Sequence, residues 1–196
     1  MDINMFSIPL TKYKVSRWEE KRNKLLEHVN SRDLTLGNET VWSDFCQGNP
    51  KDFISDILSD ELEWFAHDYQ CKPVIVETWY EVAYNGNYHP THNHGHGGYS
   101  GVLFIQYDKT KHRPTNFVAP FNHFITGEQL VYEPDVEEGD LILFPSFLHH
   151  YTHSHSSAER RIVLSFNLTI DKAHMPQSWT VNKPSHEVDT MLDYWL

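Results

Sequence analysis

Histidine side chains dominate the chemistry that this sequence can offer. Fourteen of the 196 residues are histidine, and eight of them fall into two short windows, 89–96 and 149–155. Neutral imidazole is the commonest side-chain ligand for transition metals, so this clustering indicates a metal site. His92 and His94 are two positions apart, and in an extended chain such residues point to the same side. The pair therefore offers two neighbouring ligands to one ion.

The second window offers a third ligand from a distant part of the chain. Residues 139–151, GDLILFPSFLHHY, predict a turn, a buried strand, a break at proline and a new strand that begins at two adjacent histidines. Neighbouring residues of a strand face opposite sides, so only one of His149 and His150 faces a metal.

A carboxylate-binding group is predicted in the segment RIVLSFNLTI, residues 161–170. Its even positions are all apolar, while its odd positions include arginine, serine, asparagine and threonine. The pattern predicts a strand whose polar face is either half-exposed or lines a cavity. In a cavity, Arg161 would bind a carboxylate through its planar guanidinium, with Ser165 or Asn167 nearby as hydrogen-bonding groups.

The elements that carry these residues are mainly short strands. Runs rich in β-branched and aromatic residues, separated by Gly, Pro, Asn and Asp, predict strands at 74–84, 99–107, 115–119, 140–144, 150–154 and 161–170. No helical segment intervenes between them, which disfavours a parallel βαβ sheet. The sequence predicts an antiparallel sandwich or jelly roll.

The N-terminal third is predicted to be helical. Ser16 and Glu19 have the spacing of a capping box that opens a helix to about Val29, and Asn49-Pro50 begins an apolar helical pattern that reaches Phe65. We expect one domain over 1–196: a helical part over 1–72, a β core over 73–170 and a tail over 171–196 with a short helix around 187–194.

Composition excludes several classes of protein. With 39% hydrophobic and 22% charged residues the chain is not a disordered or low-complexity protein, and a net charge of −11 disfavours nucleic acid as a partner. No apolar run of about 18 residues and no signal-peptide pattern occur, so a cytoplasmic location is expected. Cys46 and Cys71 have no metal-like spacing and are expected to be buried thiols.

Three motifs in order resemble a known superfamily. H-x-H before SGVLF, then GDLILFPSxLxH, then RxxxSFN resemble the Fe(II)- and 2-oxoglutarate-dependent oxygenases, above all small bacterial and phage members related to prolyl hydroxylases. The resemblance covers about residues 74–170. It implies a double-stranded β-helix, which is a cupin-like jelly roll, and hydroxylation of a small molecule or a protein side chain with release of succinate and CO2.

The resemblance also implies roles for individual residues. The metal ligands would be His92, His94 and His150, the last chosen over its neighbour because it lies five residues after Pro145. Groups that bind the cosubstrate would be Arg161, eleven positions further on, with Ser165, Asn167 and Tyr107. No catalytic residue beyond the metal site is expected. The implied cofactors are Fe(II) and 2-oxoglutarate, and the expected partner is a small-molecule or protein substrate, with no membrane and no nucleic acid; a homodimer stays open.

His94 departs from the pattern of the superfamily, which usually has Asp or Glu at this ligand position. No acidic residue occurs between Glu81 and Asp108. Either three histidines hold the metal, or a remote acid such as Glu128 or Glu133 completes the site, or activity is altered or lost.

Two rival interpretations stay open. A cupin-type metalloprotein, acting as an isomerase, a sensor or a dioxygenase without 2-oxoglutarate, fits the spacing of Gly139, Pro145 and His150, although Phe147 replaces the usual glycine. The other rival is a non-catalytic jelly-roll module.

Overall fold

A computed structural model describes residues 8–37, 40–45 and 50–171 of the chain. In these ranges two β-sheets enclose a core between them, and helices cover the outer side of the larger sheet. The elements are, in chain order, β1 (Thr11–Lys14), α1 (Trp18–Asn30), β2 (Thr35–Gly37), β3 (Val41–Ser43), α2 (Lys51–Ile57), α3 (Ser59–Tyr69), β4 (Pro73–Ala83), β5 (His89–His92), β6 (Tyr99–Gln106), β7 (Thr115–Asn122), β8 (Gln129–Tyr132), β9 (Asp140–Pro145), β10 (His150–Thr152) and β11 (Arg161–Ile170).

The connections between strands make the fold a jelly roll. The larger sheet has the order β1-β9-β6-β11-β4-β3-β2 and the smaller sheet the order β5-β10-β7-β8. All of these strand pairs are antiparallel, and from β4 onward the chain passes repeatedly from one sheet to the other. The predicted fold class, mostly β with N-terminal helices, is therefore confirmed.

Strand β11 separates two hydrophobic cores. Its even-numbered side chains pack beneath the helices, in a core that also holds residues of α1, α2 and α3. Its odd face looks into the space between the sheets, where Val163 joins Phe104, Phe117 and Phe144. Arg161 on this face is only 2% exposed. Arg161 and Ser165 line cavities, as one of the two interpretations predicts, whereas Thr169 at the end of the same face is exposed.

The six predicted strands are all present, with ends that differ by a few residues. The strands that sequence reasoning missed are short, and most lie at or near a sheet edge, where pairing with a neighbour rather than side-chain pattern defines them. They are β1, β2, β3, β5 and β8.

The helical predictions need two corrections. The capping box at Ser16 is wrong, because the Ser16 hydroxyl donates to Asp60 Oδ2 at 2.6 Å, and Arg17 precedes the helix in a left-handed conformation with no side-chain cap. The apolar run that begins after Pro50 forms two helices rather than one, since the chain breaks at Leu58. Strands β1 to β3 also lie within the part expected to be helical, and the helix expected around 187–194 lies outside the described residues.

Cys71 is a buried free thiol, as predicted, whereas Cys46 lies outside the described residues. Among the described helices, none combines the length and the apolar character that crossing a membrane requires.

Gly98 fixes the loop between the H-x-H segment and β6, and its replacement tests that role. Its φ is +86°, and a Cβ there would clash with the carbonyl oxygen of Leu168. We expect Gly98→Ala to lower the free energy of unfolding by about 2–4 kcal/mol, measured by urea denaturation. The control is Gly97→Ala, where a Cβ meets nothing within 4 Å. Equal losses in the two variants would contradict the assignment.

Candidate metal centre

Three histidines from two parts of the chain converge at one end of the smaller sheet. His92 ends β5 and lies opposite His150, the first residue of β10, in the antiparallel pair. His94 follows two residues later, and its backbone N–H donates to the Ser146 carbonyl at 2.9 Å, which ties this loop to the end of β9. One nitrogen from each ring lies within 4.8 Å of the others. The structure thus brings together the three residues predicted as ligands.

Backbone carbonyls set the tautomers of two of these rings. His92 Nδ1 lies 2.8 Å from the carbonyl oxygen of Pro90, and His150 Nδ1 lies 3.0 Å from that of Leu148. A carbonyl only accepts, so each Nδ1 carries the proton and each Nε2 keeps its lone pair. A metal-binding histidine commonly donates its other ring N–H to a carbonyl in this way, and the hydrogen bond fixes the tautomer and the orientation of the ring.

The spacing and protonation of the rings fit a divalent first-row ion. His94 Nε2 and His150 Nε2 lie 3.2 Å apart, and two nitrogens bound to one ion at about 2.1 Å and near right angles lie about 3 Å apart. Burial lowers the pKa of His94 to about 4 and that of His150 to about 3. The rings are therefore neutral at pH 7, as ligands must be.

No carboxylate joins this group among the residues that the structure describes. Glu128 is exposed at the turn between β7 and β8, where its carboxylate accepts from the Thr126 hydroxyl at 3.1 Å. Glu133 lies 3.7 Å from Arg113 in an exposed ion pair. The remote acids considered from the sequence thus lie elsewhere, and the cluster consists of histidines.

Arg161 lies buried between the sheets with unused hydrogen-bonding capacity. Its Nη2 donates to the Thr115 hydroxyl at 3.3 Å, and its guanidinium carbon lies 5.5 Å from the centre of the Phe104 ring. Its Nε has no hydrogen-bond partner. Burial lowers the pKa of Arg161, but a guanidinium stays charged in proteins. A buried cation with an unpaired donor is suited to a ligand carboxylate.

The other residues predicted to bind the cosubstrate lie on the same inner face, but their polar atoms already form hydrogen bonds within the protein. Tyr107 is buried near Arg161 and donates to the His112 carbonyl at 3.4 Å. The Ser165 hydroxyl lies 3.5 Å from Glu81 Oε1. Asn167 accepts from the Ser100 hydroxyl at 2.8 Å and donates to Glu77 at 2.9 Å.

The adjacent histidine pair alternates as expected for a strand. His150 is buried in the cluster, whereas His149 is exposed and accepts at Nε2 from the Asn93 amide at 3.2 Å. Two neighbours also have defined contacts: His155 Nε2 donates to the Glu159 carbonyl at 2.7 Å, and His89 donates to Glu81 at 3.3 Å.

Sequence reasoning missed two buried residues that line the same cavity as the histidines, Trp79 and Glu81. Both stand on the face of β4 that looks toward the ligands, two positions apart. The available signal was a glutamate inside an otherwise buried strand, WYEVA, because such a charge is rarely buried without a partner.

Comparisons with known proteins show a family and a fold that this chain resembles. Residues 77–167 match the family described as "Putative 2OG-Fe(II) oxygenase". No curated protein sequence matches the chain significantly.

Solved structures show the same fold at low sequence identity. A prolyl-4-hydroxylase from Pseudomonas putida matches with a TM-score of 0.59 and 11% identity, over 83% of this chain and 93% of that one. The collagen prolyl hydroxylase vCPH of Paramecium Bursaria Chlorella virus-1 matches with 0.57 and 12%, over 83% and 96%. HygX from Streptomyces hygroscopicus, solved with nickel and 2-oxoglutarate, matches with 0.64 and 10%, over 83% of each chain.

The neutral rings make the stability of the metal-free protein depend on pH. The folded pKa values of His94 and His150 lie below the value of about 6.5 expected in the unfolded chain. Between these values the unfolded chain binds more protons, so folding stability is retained above about pH 6.5 and falls as the pH drops toward 4. We expect the urea concentration at the midpoint of unfolding to decrease over the same pH range. We expect His150→Gln to make this decrease with pH shallower. An equally steep fall in the variant would contradict the assignment.

Proposed function

We propose that this chain, whose residues 77–167 match the 2OG-Fe(II) oxygenase family, is an Fe(II)- and 2-oxoglutarate-dependent hydroxylase whose metal ligands are His92, His94 and His150. One observation carries the ligand assignment: three neutral imidazoles from two strand regions each place one nitrogen within 4.8 Å of the other two. Without a metal to bind, burying three imidazoles side by side costs free energy, because each ring loses hydration without gaining a charged partner.

The proposed chemistry is that of the family. Bound Fe(II) supplies oxygen activation, in which 2-oxoglutarate and O2 become succinate and CO2 while one oxygen atom is inserted into a substrate C–H bond. The protein contributes binding, orientation and exclusion of water.

Each part of the cavity has a proposed task in that reaction. The three histidines would hold the metal in the cavity that they line. Aromatic side chains fix the ligand ring of His150: Phe144 lies edge-on at 4.8 Å and Phe117 at 6.1 Å between ring centres. These apolar walls limit water near the metal and strengthen electrostatic interactions there.

Arg161 is proposed to bind the far carboxylate of 2-oxoglutarate through its unpaired donors, with the Thr115 hydroxyl holding the guanidinium in place. Tyr107 flanks this arginine, and Ser165 lies on the same face closer to Glu81. Asn167 is proposed to act less directly, by holding β11 against Ser100 and Glu77.

The proposed setting follows from the sequence. We propose one domain over 1–196 in the cytoplasm, acting on a small molecule or a protein side chain. A net charge of −11 makes nucleic acid an unfavourable partner. A homodimer is compatible with this function.

Metal and cosubstrate binding test the proposal directly. Under anaerobic conditions the protein is expected to bind close to one Fe(II), to lose this binding on His150→Ala, and to develop a visible charge-transfer band when 2-oxoglutarate is added. Admission of oxygen is expected to yield succinate, because 2-oxoglutarate is turned over slowly even without the prime substrate. Absence of Fe(II) binding, or of both the band and succinate, would refute the proposed function.

Arg161→Gln tests the cosubstrate site separately from the metal. Loss of a charge-assisted contact in a buried site is expected to raise the dissociation constant for 2-oxoglutarate by about 10–100-fold, while Fe(II) affinity changes little. Isothermal titration calorimetry measures both constants.

The matched control is Arg160→Gln. Arg160 is the preceding residue of the chain and contacts Gln106 and Asn30 instead, at 3.2 and 3.0 Å. Unchanged 2-oxoglutarate affinity in Arg161→Gln would contradict the proposed role of Arg161 in binding the carboxylate of the cosubstrate.

A further inference from the structure

Glu81 is a buried carboxylate whose two oxygens hold two different aromatic rings. The residue stands on β4, is 7% exposed, and lines the cavity of the histidine cluster. Trp79 Nε1 donates to Oε1 at 2.9 Å, and His89 Nδ1 donates to Oε2 at 3.3 Å. The carboxylate thus fixes an indole on one side and an imidazole on the other.

Each of these two rings packs against one histidine of the H-x-H segment. The His89 ring stacks on that of His92, with centres 4.1 Å apart and planes inclined by 21°. The Trp79 ring lies against that of His94, with centres 5.4 Å apart and planes inclined by 33°. Glu81 therefore reaches both proposed ligands, through one intervening ring each.

The carboxylate of Glu81 has one candidate for an ion pair in the described part of the chain, and that group is charged only when protonated. Within 4.0 Å its ion pair is with His89, and no such pair joins it to Arg161. Burial alone would raise the pKa of Glu81, but His89, the Trp79 hydrogen bond and the more distant Arg161 hold this pKa well below its usual range. Glu81 therefore stays ionised beside a neutral set of ligands.

A set of three histidines gives a metal centre one negative charge fewer than a set with two histidines and a carboxylate. An anion buried in the same cavity attracts a divalent cation through a medium of low dielectric constant. Partners in the outer shell of a metal site also orient the ligands and tune affinity. Glu81 combines both properties, since it is anionic and holds the rings that back the ligands.

We propose that Glu81 is the positioning residue of this metal centre, holding His92 and His94 in place through His89 and Trp79 and supplying the negative charge that the H-x-H segment lacks. This inference rests on the proposed function, because it requires that His92, His94 and His150 bind a metal. It adds a residue that makes no bond to the metal and lies outside the three motifs that carry the sequence resemblance.

Glu81→Gln is the informative substitution because glutamine has the same shape and still accepts from Trp79, but carries no charge. The probe is Co(II) alone, titrated into the metal-free full chain and followed by calorimetry and by its visible ligand-field bands. We expect the dissociation constant to rise by about 10–100-fold, with changed band positions.

Glu77→Gln is the matched control, four positions earlier on the same strand. Glu77 accepts from the Asn167 amide at 2.9 Å and is half-buried. Its variant is expected to bind Co(II) with the affinity and spectrum of the wild type. A purely structural role of Glu81 would lower the denaturation midpoint without moving the Co(II) affinity or spectrum.

Trp79→Phe supplies a second, independent test of the positioning role of Glu81. It also tests this role if Glu81→Gln does not fold. This variant keeps a ring against His94 but removes the donor to Glu81, so the ring is no longer anchored. We expect Co(II) binding to weaken several-fold, with altered ligand-field bands.

The outcomes separate the two hypotheses. If the wild type binds no Co(II), the proposed function fails and this inference fails with it. If the wild type binds Co(II) and folded Glu81→Gln binds it equally well with the same spectrum, only the inference is overturned. Unchanged binding and spectrum in Trp79→Phe overturn it in the same way where Glu81→Gln is unfolded.

Discussion

The antiparallel pairing of β5 with β10 is the constraint on which the candidate metal centre depends. It puts His92 directly opposite His150 in the terminal pair of this ladder, so the chain has already left the ladder where His94 follows. A slip by one residue would turn one of the two rings to the other face of the sheet. The register is held from the other side as well, because β10 also pairs with β7, where His150 lies opposite Phe117.

The cavity between the sheets contains charges of both signs at low exposure. Arg161 is 2% exposed and Glu81 is 7% exposed. Burial of an ion costs several kcal/mol unless partners compensate it. Glu81 is compensated by Trp79 and His89, whereas Arg161 keeps an unpaired nitrogen. The fold therefore gives its buried anion hydrogen-bond donors from its own side chains and leaves a donor of its buried cation free for a ligand, which is the asymmetry that an acidic cosubstrate requires.

Local pattern was enough to predict the long strands and the polar face of β11. The alternation along 161–170 indicates which face of the strand packs in an apolar core. In the structure, the even-numbered side chains pack in the core beneath the helices, and Val163 on the odd face packs in the core between the sheets. The short strands could not be predicted in this way, because residues such as those of β5 and β8 become strands only through a partner. The start of α1 was mispredicted for a similar reason: Ser16 has a capping residue's chemistry, but a tertiary contact with Asp60 takes its hydroxyl.

The sequence by itself determined the types and spacing of the groups that do chemistry: the H-x-H pair, a histidine five residues after Pro145, and an arginine eleven positions later. Periodicity of two fixes which residues share a face, and that information is local. Only the tertiary structure decided that these segments meet, which ring nitrogens keep their lone pairs, and that Glu81 lies behind the ligands through Trp79 and His89. These facts depend on contacts between residues far apart in the chain, and no local pattern encodes them.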